Sequence, residues 1–261
     1  MDMHLADQTV VVTGASKGIG LAISQAFAAA GAHVIAGARH DGPELRDLVA
    51  AGSATFVAAD LSTAEGPKAL IDAAAERGGV DVLVNNAGAV QTRFDGILSV
   101  TDEDWAASLS INFLSAVRTT REAIPHMLTR GGGSIVMIGS INATLPEWNI
   151  VDYSATKAAL ASYAKSLSKE FGPKGIRVNT VSPGPVSTDL WLASDGVAAK
   201  FADASGATAD DVVATVSAIA PTGRFTTPQE VADLTVFLAS SRSANTTGAD
   251  VRIDGGYVTT L

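Results

Sequence analysis

The chain has 261 residues, of which 47% are hydrophobic, and it carries a formal net charge of -9. This acidic excess argues against a nucleic-acid or anionic-membrane partner, because both attract a basic surface, and no apolar stretch approaches the length of a membrane span. The absence of cysteine excludes disulfides and thiolate chemistry, and the four histidines lack ligand spacing, so we expect no catalytic metal.

Residues 1–8 are polar and lack the basic and apolar parts of a signal peptide, so we expect a soluble, cytoplasmic protein. Short β-branched runs then alternate with Ala- and Leu-rich segments of helical period, as in βα units. The predicted strands, apolar throughout, lie at 9–13, 33–36, 54–58, 80–84, 134–138, 177–181 and 250–253. The predicted helices lie at 18–30, 43–51, 64–77, 101–129, 152–171 and 228–239. The sequence therefore predicts one α/β domain over 1–261, a doubly wound seven-stranded parallel sheet with helices on both faces.

Residues 185–222 interrupt this alternation with Ala-, Asp- and Ser-rich turns around a possible short helix at 209–219. Irregular inserts of this length are either functional lids or mobile loops. We predict a substrate lid.

A glycine-rich loop follows the first strand, with the spacing Gly-x-x-x-Gly-x-Gly at Gly14, Gly18 and Gly20. Glycines there allow a tight turn and close backbone approach, and the following helix directs its free N–H groups at phosphates. The loop therefore predicts a dinucleotide site.

The end of the second strand indicates which dinucleotide is bound. An NAD site usually has an acidic residue there, whereas this sequence has Ala38 followed by Arg39. Arg39 can bind a 2'-phosphate through two N–H groups, and Lys17 adds a second cation. We therefore predict NADP, with NADPH preferred over NADH; the alternative is that both cations are solvated surface residues.

Tyr153 and Lys157 form a Tyr-x-x-x-Lys motif in the fifth of the long predicted helices, and Ser140 ends the strand before it. Residues four apart on a helix share a face. A phenol has a pKa of about 10, and one cation at about 4 Å contributes about 4 kcal/mol toward its ionisation, or roughly three pKa units. The motif predicts proton transfer by Tyr153 with its pKa lowered by Lys157, the alternative being a chance pair.

With the glycine loop, Asn85-Asn86-Ala87-Gly88, Ser140, Tyr153 and Lys157 in this order, the chain resembles a single-domain short-chain dehydrogenase/reductase with a Rossmann fold. It is similar to 3-oxoacyl carrier-protein reductases along nearly its whole length. The resemblance implies hydride transfer at nicotinamide C4 with Tyr153 as general acid and base. It also implies that Ser140 binds the substrate oxygen, that Lys157 binds the nicotinamide ribose, and that Asn112 takes part in a proton relay.

The same resemblance implies a set of cofactor-binding residues in six separate segments. They are Gly14, Ser16, Lys17, Gly18, Ile19, Gly20, Arg39, Asp60, Leu61, Asn86, Ala87, Gly88, Tyr153, Lys157, Pro183, Gly184, Val186 and Thr188. Structural roles stay open for three residues: a structural hydrogen bond for Asn112, a turn for Asp60 and a helix cap for Thr188.

The predicted function is NADP(H)-dependent interconversion of a ketone and a secondary alcohol, with 3-oxoacyl compounds as one candidate class of ketone. The alternatives are a non-catalytic NADP-binding sensor or scaffold, an NAD(H)-dependent sugar or alcohol dehydrogenase, and a nucleotide-sugar epimerase or dehydratase. The expected pocket walls are 91–94, 141–149, Leu190, Trp191 and Leu192.

Two further interpretations concern partners. Arg130 and Lys174 could dock a carrier protein, or could only complement the dipoles of the helices they follow. Small or apolar residues on more than one face of the helix at 152–171 predict a homotetramer or homodimer.

Overall fold

The computed structural model describes residues 2–260 and contains one parallel sheet within them. Its strands are β1 (Thr9–Thr13), β2 (His33–Ala38), β3 (Ala54–Ala58), β4 (Val82–Asn85), β5 (Gly133–Ile138), β6 (Ile176–Pro183) and β7 (Asp250–Ile253). Their order across the sheet is β3-β2-β1-β4-β5-β6-β7, and every neighbouring pair is parallel. The prediction of a doubly wound, seven-stranded parallel sheet is confirmed.

Helices cover both faces of this sheet. They are α1 (Gly18–Ala29), α2 (Pro43–Ala50), α3 (Glu65–Ala75), α4 (Asp102–Leu109), α5 (Ser115–Thr129), α6 (Val151–Phe171), α7 (Asp189–Leu192), α8 (Val197–Ser205), α9 (Ala209–Ile219) and α10 (Pro228–Ala239). Capping boxes begin α4, α9 and α10, where a threonine hydroxyl and an acidic side chain bind each other's backbone N–H groups. None of the helices within residues 2–260 is both long and apolar enough to cross a bilayer.

The core consists of two apolar clusters, one on each face of the sheet. Val10 and Val12 of β1 pack into the cluster that contains side chains of α1, α2 and α10. Val11 points the other way, into the cluster with α3, α5 and α6. Alternate residues of a strand face opposite sides, so a continuous apolar run fits a strand that is covered on both faces.

The predicted helix at 101–129 is wrong in one respect, because a π-helical turn at Ser110–Leu114 separates α4 from α5. The turn contains Asn112, whose buried side chain bonds to a neighbouring loop. A π-helical turn adds one residue within an otherwise continuous helix. Apolar residues continue on both sides of the turn, so the sequence pattern does not reveal where it lies.

The insert at 185–222 is more regular than predicted. The expected helix at 209–219 is present as α9, but α7 and α8 also form, and the description of this segment as irregular turns is wrong. The apolar face of α8 is short and was not recognised from the composition of the segment. It buries Val197, Ala198 and Ala202.

The sheet reverses its winding between β1 and β4, which lie side by side although three βα units separate them in sequence. In open α/β sheets, ligands bind in the crevice outside the carboxyl ends of the strands at such a reversal. The glycine loop follows β1 and the segment 86–88 follows β4, so both lie at this crevice.

Candidate active site

Three predicted proton-transfer residues meet at the carboxyl ends of the strands. Ser140 lies just beyond β5, while Tyr153 and Lys157 lie on one face of the first turns of α6. The Lys157 Nζ is 5.6 Å from the centroid of the Tyr153 ring. The Ser140 hydroxyl lies close enough to the Tyr153 phenol to favour its ionised form and so to lower its pKa. The structure thus brings hydroxyl, phenol and ammonium together at one point of the crevice.

Burial, rather than the neighbouring ammonium, dominates the ionisation of Tyr153. Burial raises the pKa of the Tyr153 phenol, and the neighbouring Ser140 hydroxyl opposes that rise. The prediction that Lys157 holds the pKa of Tyr153 below its usual value is therefore wrong for this structure. The reason is that low-dielectric surroundings disfavour the phenolate, while the ammonium is directed toward a backbone carbonyl.

Lys157 is a buried cation, with only 4% of the residue exposed. Its Nζ donates a hydrogen bond to the Ile138 carbonyl oxygen at 2.9 Å, which leaves two N–H groups of the ammonium. Burial lowers the pKa of Lys157 to about 8. The ammonium form therefore still predominates at neutral pH, and its two remaining N–H groups can bind a hydroxyl in the crevice.

Asn112 uses its side chain to hold a loop. The Nδ2 group donates to the Ala89 carbonyl at 2.9 Å, and Oδ1 accepts from the Ala89 N–H at 2.9 Å. A third contact joins Nδ2 to the Ser108 hydroxyl at 3.4 Å. A Cβ at Gly88 would lie 2.9 Å from Asn112 Oδ1 and 3.6 Å from Lys157 Nζ, so only glycine fits here without displacing a neighbour. The structural hydrogen bond that stayed open for Asn112 is present, and its part in a relay stays a prediction.

Asn142 supports Ser140 and was not predicted. Its backbone N–H donates to the Ser140 hydroxyl at 3.1 Å, and its Oδ1 accepts from that hydroxyl at 3.1 Å. The side chain is itself fixed, because Nδ2 donates to the Leu145 carbonyl at 3.0 Å. An asparagine two residues after a serine that ends a strand is a signal for such a turn.

Asn86 fixes the glycine loop from the neighbouring strand end. Its Nδ2 donates to the carbonyls of Thr13 at 2.9 Å and Gly14 at 3.1 Å. The Thr13 hydroxyl accepts in return from the backbone N–H of Asn86 and of Ala87. Gly14 has φ +67°, a left-handed conformation that favours glycine, and a Cβ at Gly20 would overlap the Gly14 carbonyl oxygen. The sequence predicted Asn86 as a cofactor-binding residue, a role that stays a prediction, and its specific bonds to the glycine loop were not predicted.

The start of α1 fits a phosphate. Lys17 is the N-cap residue, and within residues 2–260 no side chain caps these N–H groups, in contrast to the capping boxes of α4, α9 and α10. The first turn of α1 (Gly18, Ile19 and Gly20) also lacks acidic residues. Free N–H groups at the positive end of a helix dipole bind anions.

Two exposed cations lie in the segments next to this helix start. Lys17 is exposed, and so is Arg39, which lies directly beyond β2. A Cβ at Gly42 would lie 3.0 Å from the Ser16 carbonyl oxygen, so the loop after Arg39 packs against the glycine loop. The residues present therefore fit a dinucleotide that carries an additional phosphate.

The turn after β3 contains the predicted cofactor-binding residues Asp60 and Leu61. The Asp60 carboxylate accepts hydrogen bonds from the Ser62 N–H at 2.9 Å and the Ser62 hydroxyl at 2.7 Å. These bonds, with a smaller contribution from Arg39, lower the pKa of Asp60. The turn role that stayed open for Asp60 is thus present. Leu61 is buried in the core, so any contact it makes with a cofactor involves its backbone.

The segment from Pro183 to Thr188 faces the glycine loop. A Cβ at Gly18 would lie 3.4 Å from the Thr188 methyl group. Thr188 precedes α7 without capping it through its side chain, and its hydroxyl makes only a 3.5 Å contact with the Val186 carbonyl. The helix cap that stayed open for Thr188 is not formed. A Cβ at Gly184 would lie 2.9 Å from Asp254 Cβ, which fixes the segment against the chain beyond β7.

Aromatic contacts join the insert to the expected substrate walls. Phe94, in the loop after β4, packs edge-on against Phe201 of α8 with ring centroids 5.0 Å apart. Trp191 of α7 packs edge-on against Phe225 at 5.2 Å. Trp148 is 64% exposed beside the crevice. The insert therefore packs, through Phe201, against the loop that contains the expected wall residue Phe94.

Comparison with known proteins agrees with this geometry. A family model described as "Enoyl-(Acyl carrier protein) reductase" matches residues 14–258. The chain belongs to the short-chain dehydrogenase/reductase family. It is 34% identical to the 3-oxoacyl-[acyl-carrier-protein] reductase FabG of Escherichia coli (strain K12), over 97% of this chain and 98% of that protein. It is 36% identical to 3beta-hydroxysteroid dehydrogenase 1 of Eggerthella lenta, over 97% and 94%.

Solved structures show the same fold. The L-sorbose reductase of Gluconobacter frateurii, complexed with NADPH and L-sorbose, superposes with a TM-score of 0.91 at 35% identity, covering 100% of both chains. A putative NAD(P) dependent gluconate 5-dehydrogenase of Beutenbergia cavernae with bound NADP gives 0.88 at 36% identity, also over 100% of both chains. The predicted family is thus confirmed, and the chain is an oxidoreductase of alcohol or ketone substrates.

Proposed function

We propose that this family member is an NADP(H)-dependent reductase that converts a ketone to a secondary alcohol, with Tyr153 as the proton donor. The observation that carries the proposal is the meeting of Ser140, Tyr153 and Lys157 beside an uncapped, cation-flanked helix start. Bound NADPH supplies a hydride at C4 of its nicotinamide.

The side chains of the site have complementary parts in this reaction. The Ser140 hydroxyl rotates away from Asn142 Oδ1 and donates its one hydrogen bond to the substrate oxygen as negative charge develops on it. Tyr153 then transfers its phenolic proton to that oxygen. Because burial raises the pKa of Tyr153, the phenol keeps its proton at neutral pH, which suits the reducing direction. The Lys157 ammonium stabilises the phenolate left behind, and the proton is resupplied through Lys157 and Asn112.

Arg39 supports a preference for NADP(H) over NAD(H). It is exposed beyond β2, its neighbour Ala38 offers no carboxylate to a ribose hydroxyl, and Lys17 lies in the adjoining glycine loop. The similar L-sorbose reductase was solved with NADPH, and the similar gluconate 5-dehydrogenase with NADP. We expect kcat/KM with NADPH to exceed that with NADH at least tenfold, and Arg39→Ala to remove most of the difference. Equal values for the wild-type enzyme would contradict this preference.

The substrate is proposed to be a free small molecule. Arg130, one of the two candidate carrier-docking residues, binds the Asp81 carboxylate at 2.6 Å and the Gly78 carbonyl at 3.0 Å. The Lys174 Nζ lies 4.8 Å from the centroid of the Phe171 ring. Both cations are thus engaged within the chain, which favours a free ketone over a carrier-bound acyl group.

A sugar or polyol substrate is a second candidate, because several similar proteins act on such compounds. One is the L-sorbose reductase described above, and another is the D-threitol dehydrogenase of Mycolicibacterium smegmatis, 36% identical over 98% of this chain and 95% of that protein. Residues 185–222 are proposed to form a lid over the substrate. The reaction is proposed to run toward the alcohol in the cell.

The test is NADPH oxidation with three groups of compounds: simple ketones, 3-oxoacyl thioesters and ketoses. Wild-type turnover on at least one group, lost in Tyr153→Phe, supports the proposal. NADPH binding without turnover on any group would instead support the sensor or scaffold alternative, and nucleotide-sugar turnover the epimerase alternative.

We also propose that the chain self-associates. Ala155 and Ala158 leave an exposed small-residue surface on α6, and β7 is the edge strand of the sheet. Sedimentation at micromolar concentration tests this, with a dimer or tetramer expected and a monomer contradicting it.

A further inference from the structure

An ion-pair cluster of Arg93, Asp104 and Asp152 adjoins Tyr153, which directly follows Asp152 in the chain. Arg93, in the loop after β4, has a side chain that is only 9% exposed. One guanidinium nitrogen lies 3.0 Å from Asp104 Oδ1, and the other terminal nitrogen lies 3.2 Å from Asp152 Oδ2. The Asp152 side chain is 3% exposed. The backbone N–H of Arg93 also donates to the Asn149 carbonyl at 2.7 Å.

The cluster joins three segments that are distant in sequence. Arg93 belongs to the loop that forms one substrate wall, and Asp104 lies in the first turn of α4. Asp152 lies in the first turn of α6, and the next residue is Tyr153. A single guanidinium therefore connects the substrate loop to the helix turn that carries the proton donor.

The composition of the cluster is a poor design for stability alone. One cation faces two carboxylates, and Arg93 Nε and Asp152 Oδ1 are buried without a hydrogen-bond partner among residues 2–260. Buried ion pairs often contribute nothing to stability relative to apolar residues of similar size, because desolvation of both charges offsets their attraction. Their directional hydrogen bonds do fix geometry.

We propose that Arg93 and Asp152 are positioning residues, which hold Tyr153 at a fixed place relative to the substrate loop. The inference rests on the proposed function, since it assigns Tyr153 the proton transfer. Among the hydrogen bonds and ion pairs of residues 2–260, neither side chain is bonded to Ser140 or Lys157, so the effect passes through the α6 turn and the loop. A small displacement of a proton donor costs turnover far more than it costs binding.

Arg93→Met and Asp152→Asn test the pair, with NADPH and either ethyl acetoacetate or L-sorbose as probe substrates. We expect each variant to lower kcat at least tenfold, while the dissociation constant of NADPH, from fluorescence titration, changes less than twofold. Arg93→Lys should recover part of the kcat, because an ammonium can still bind the Asp152 carboxylate. The exposed pair Lys68 and Asp72 gives the control Lys68→Met/Asp72→Asn, which should leave kcat within twofold.

The double variant Arg93→Met/Asp152→Asn separates positioning from stability. Arg93→Met alone leaves the buried Asp152 carboxylate without its partner, whereas the double variant removes that charge. The melting temperature of the double variant should therefore lie closer to that of wild type than the melting temperature of Arg93→Met does. A positioning role requires that kcat stays at least tenfold low in this stable protein. Recovery of kcat together with the melting temperature would overturn the proposal, as would single variants that keep kcat within twofold.

Hydrogen exchange provides a readout that needs no substrate. Amides of residues 149–156 should exchange faster in Arg93→Met than in wild type, while those of β1 and α1 stay unchanged. Unchanged exchange at 149–156 would overturn the positioning role. If wild type reduces neither probe nor any other ketone, the proposed function fails, and hydrogen exchange then decides separately whether the cluster fixes this turn.

Discussion

Lys157→Met should change the pH dependence of stability in a direction that the structure determines. Burial lowers the pKa of Lys157 from 10.5 to about 8. The unfolded chain therefore binds more protons than the folded chain between these two pH values, and stability rises with pH across that window. Below pH 8 the buried ammonium takes about 3 kcal/mol from the free energy of unfolding. A methionine in its place carries no such dependence.

The measurement is the free energy of unfolding in urea, at one fixed protein concentration, for wild type and Lys157→Met at pH 7 and pH 9. Proton linkage predicts that wild type gains on the order of 1 kcal/mol relative to the variant between about pH 7 and pH 9. The absolute difference at one pH is less informative, because the methionine also leaves the Ile138 carbonyl without its donor, at a cost of about 1–3 kcal/mol.

Lys200→Met serves as the matched control, since this lysine is exposed on α8 and its ammonium stays hydrated in the folded protein. Its stability should run parallel to that of wild type over the same pH range. Parallel curves for wild type and Lys157→Met as well would refute the reasoning, because they would mean that the ammonium loses no hydration on folding.

Three other outcomes follow from the site. The kcat/KM for ketone reduction should fall as pH rises past about 8, because Lys157 then loses the charge that stabilises the Tyr153 phenolate; a flat profile to pH 10 would contradict this. Asn86→Ala removes the donors to the Thr13 and Gly14 carbonyls, and should lower unfolding stability by about 1–3 kcal/mol and weaken NADPH binding in fluorescence titration. Gly88→Ala should lower kcat at least tenfold with an unchanged circular-dichroism spectrum, and wild-type turnover would show that Asn112 and Lys157 yield to the added methyl group.

The sequence predicted those parts of the fold that local patterns specify. The seven strands were found from apolar runs, but β6 extends to Pro183 rather than ending at 181. The extension exists because Ser182 and Pro183 pair with Arg252 and Ile253 of β7, about seventy residues further on. The π-helical turn at Ser110–Leu114 likewise accompanies a tertiary contact, between Asn112 and the Ala89 backbone. Neither feature leaves a periodic signal in its own segment.

The same distinction applies to the site. Tyr153 and Lys157 are four residues apart on one helix, so their spacing alone predicts that they meet. Asn86 and Thr13 are 73 residues apart, and Arg93 and Asp152 are 59 apart. Only the order of strands in the sheet brings such pairs together, so no spacing rule finds them. The residues that react are predictable here, and several of those that hold them are not.

The wrong sign predicted for the pKa of Tyr153 shows which physical effect the sequence argument left out. That argument counted the attraction between phenolate and ammonium and omitted the burial of both groups. Burial favours the neutral form of each, so it raises the pKa of the phenol and lowers that of Lys157. Near neutral pH the phenol therefore keeps its proton while Lys157 keeps most of its charge. A donor that holds its proton until charge develops on the substrate oxygen, beside a cation that then stabilises the phenolate, is what the proposed general acid requires.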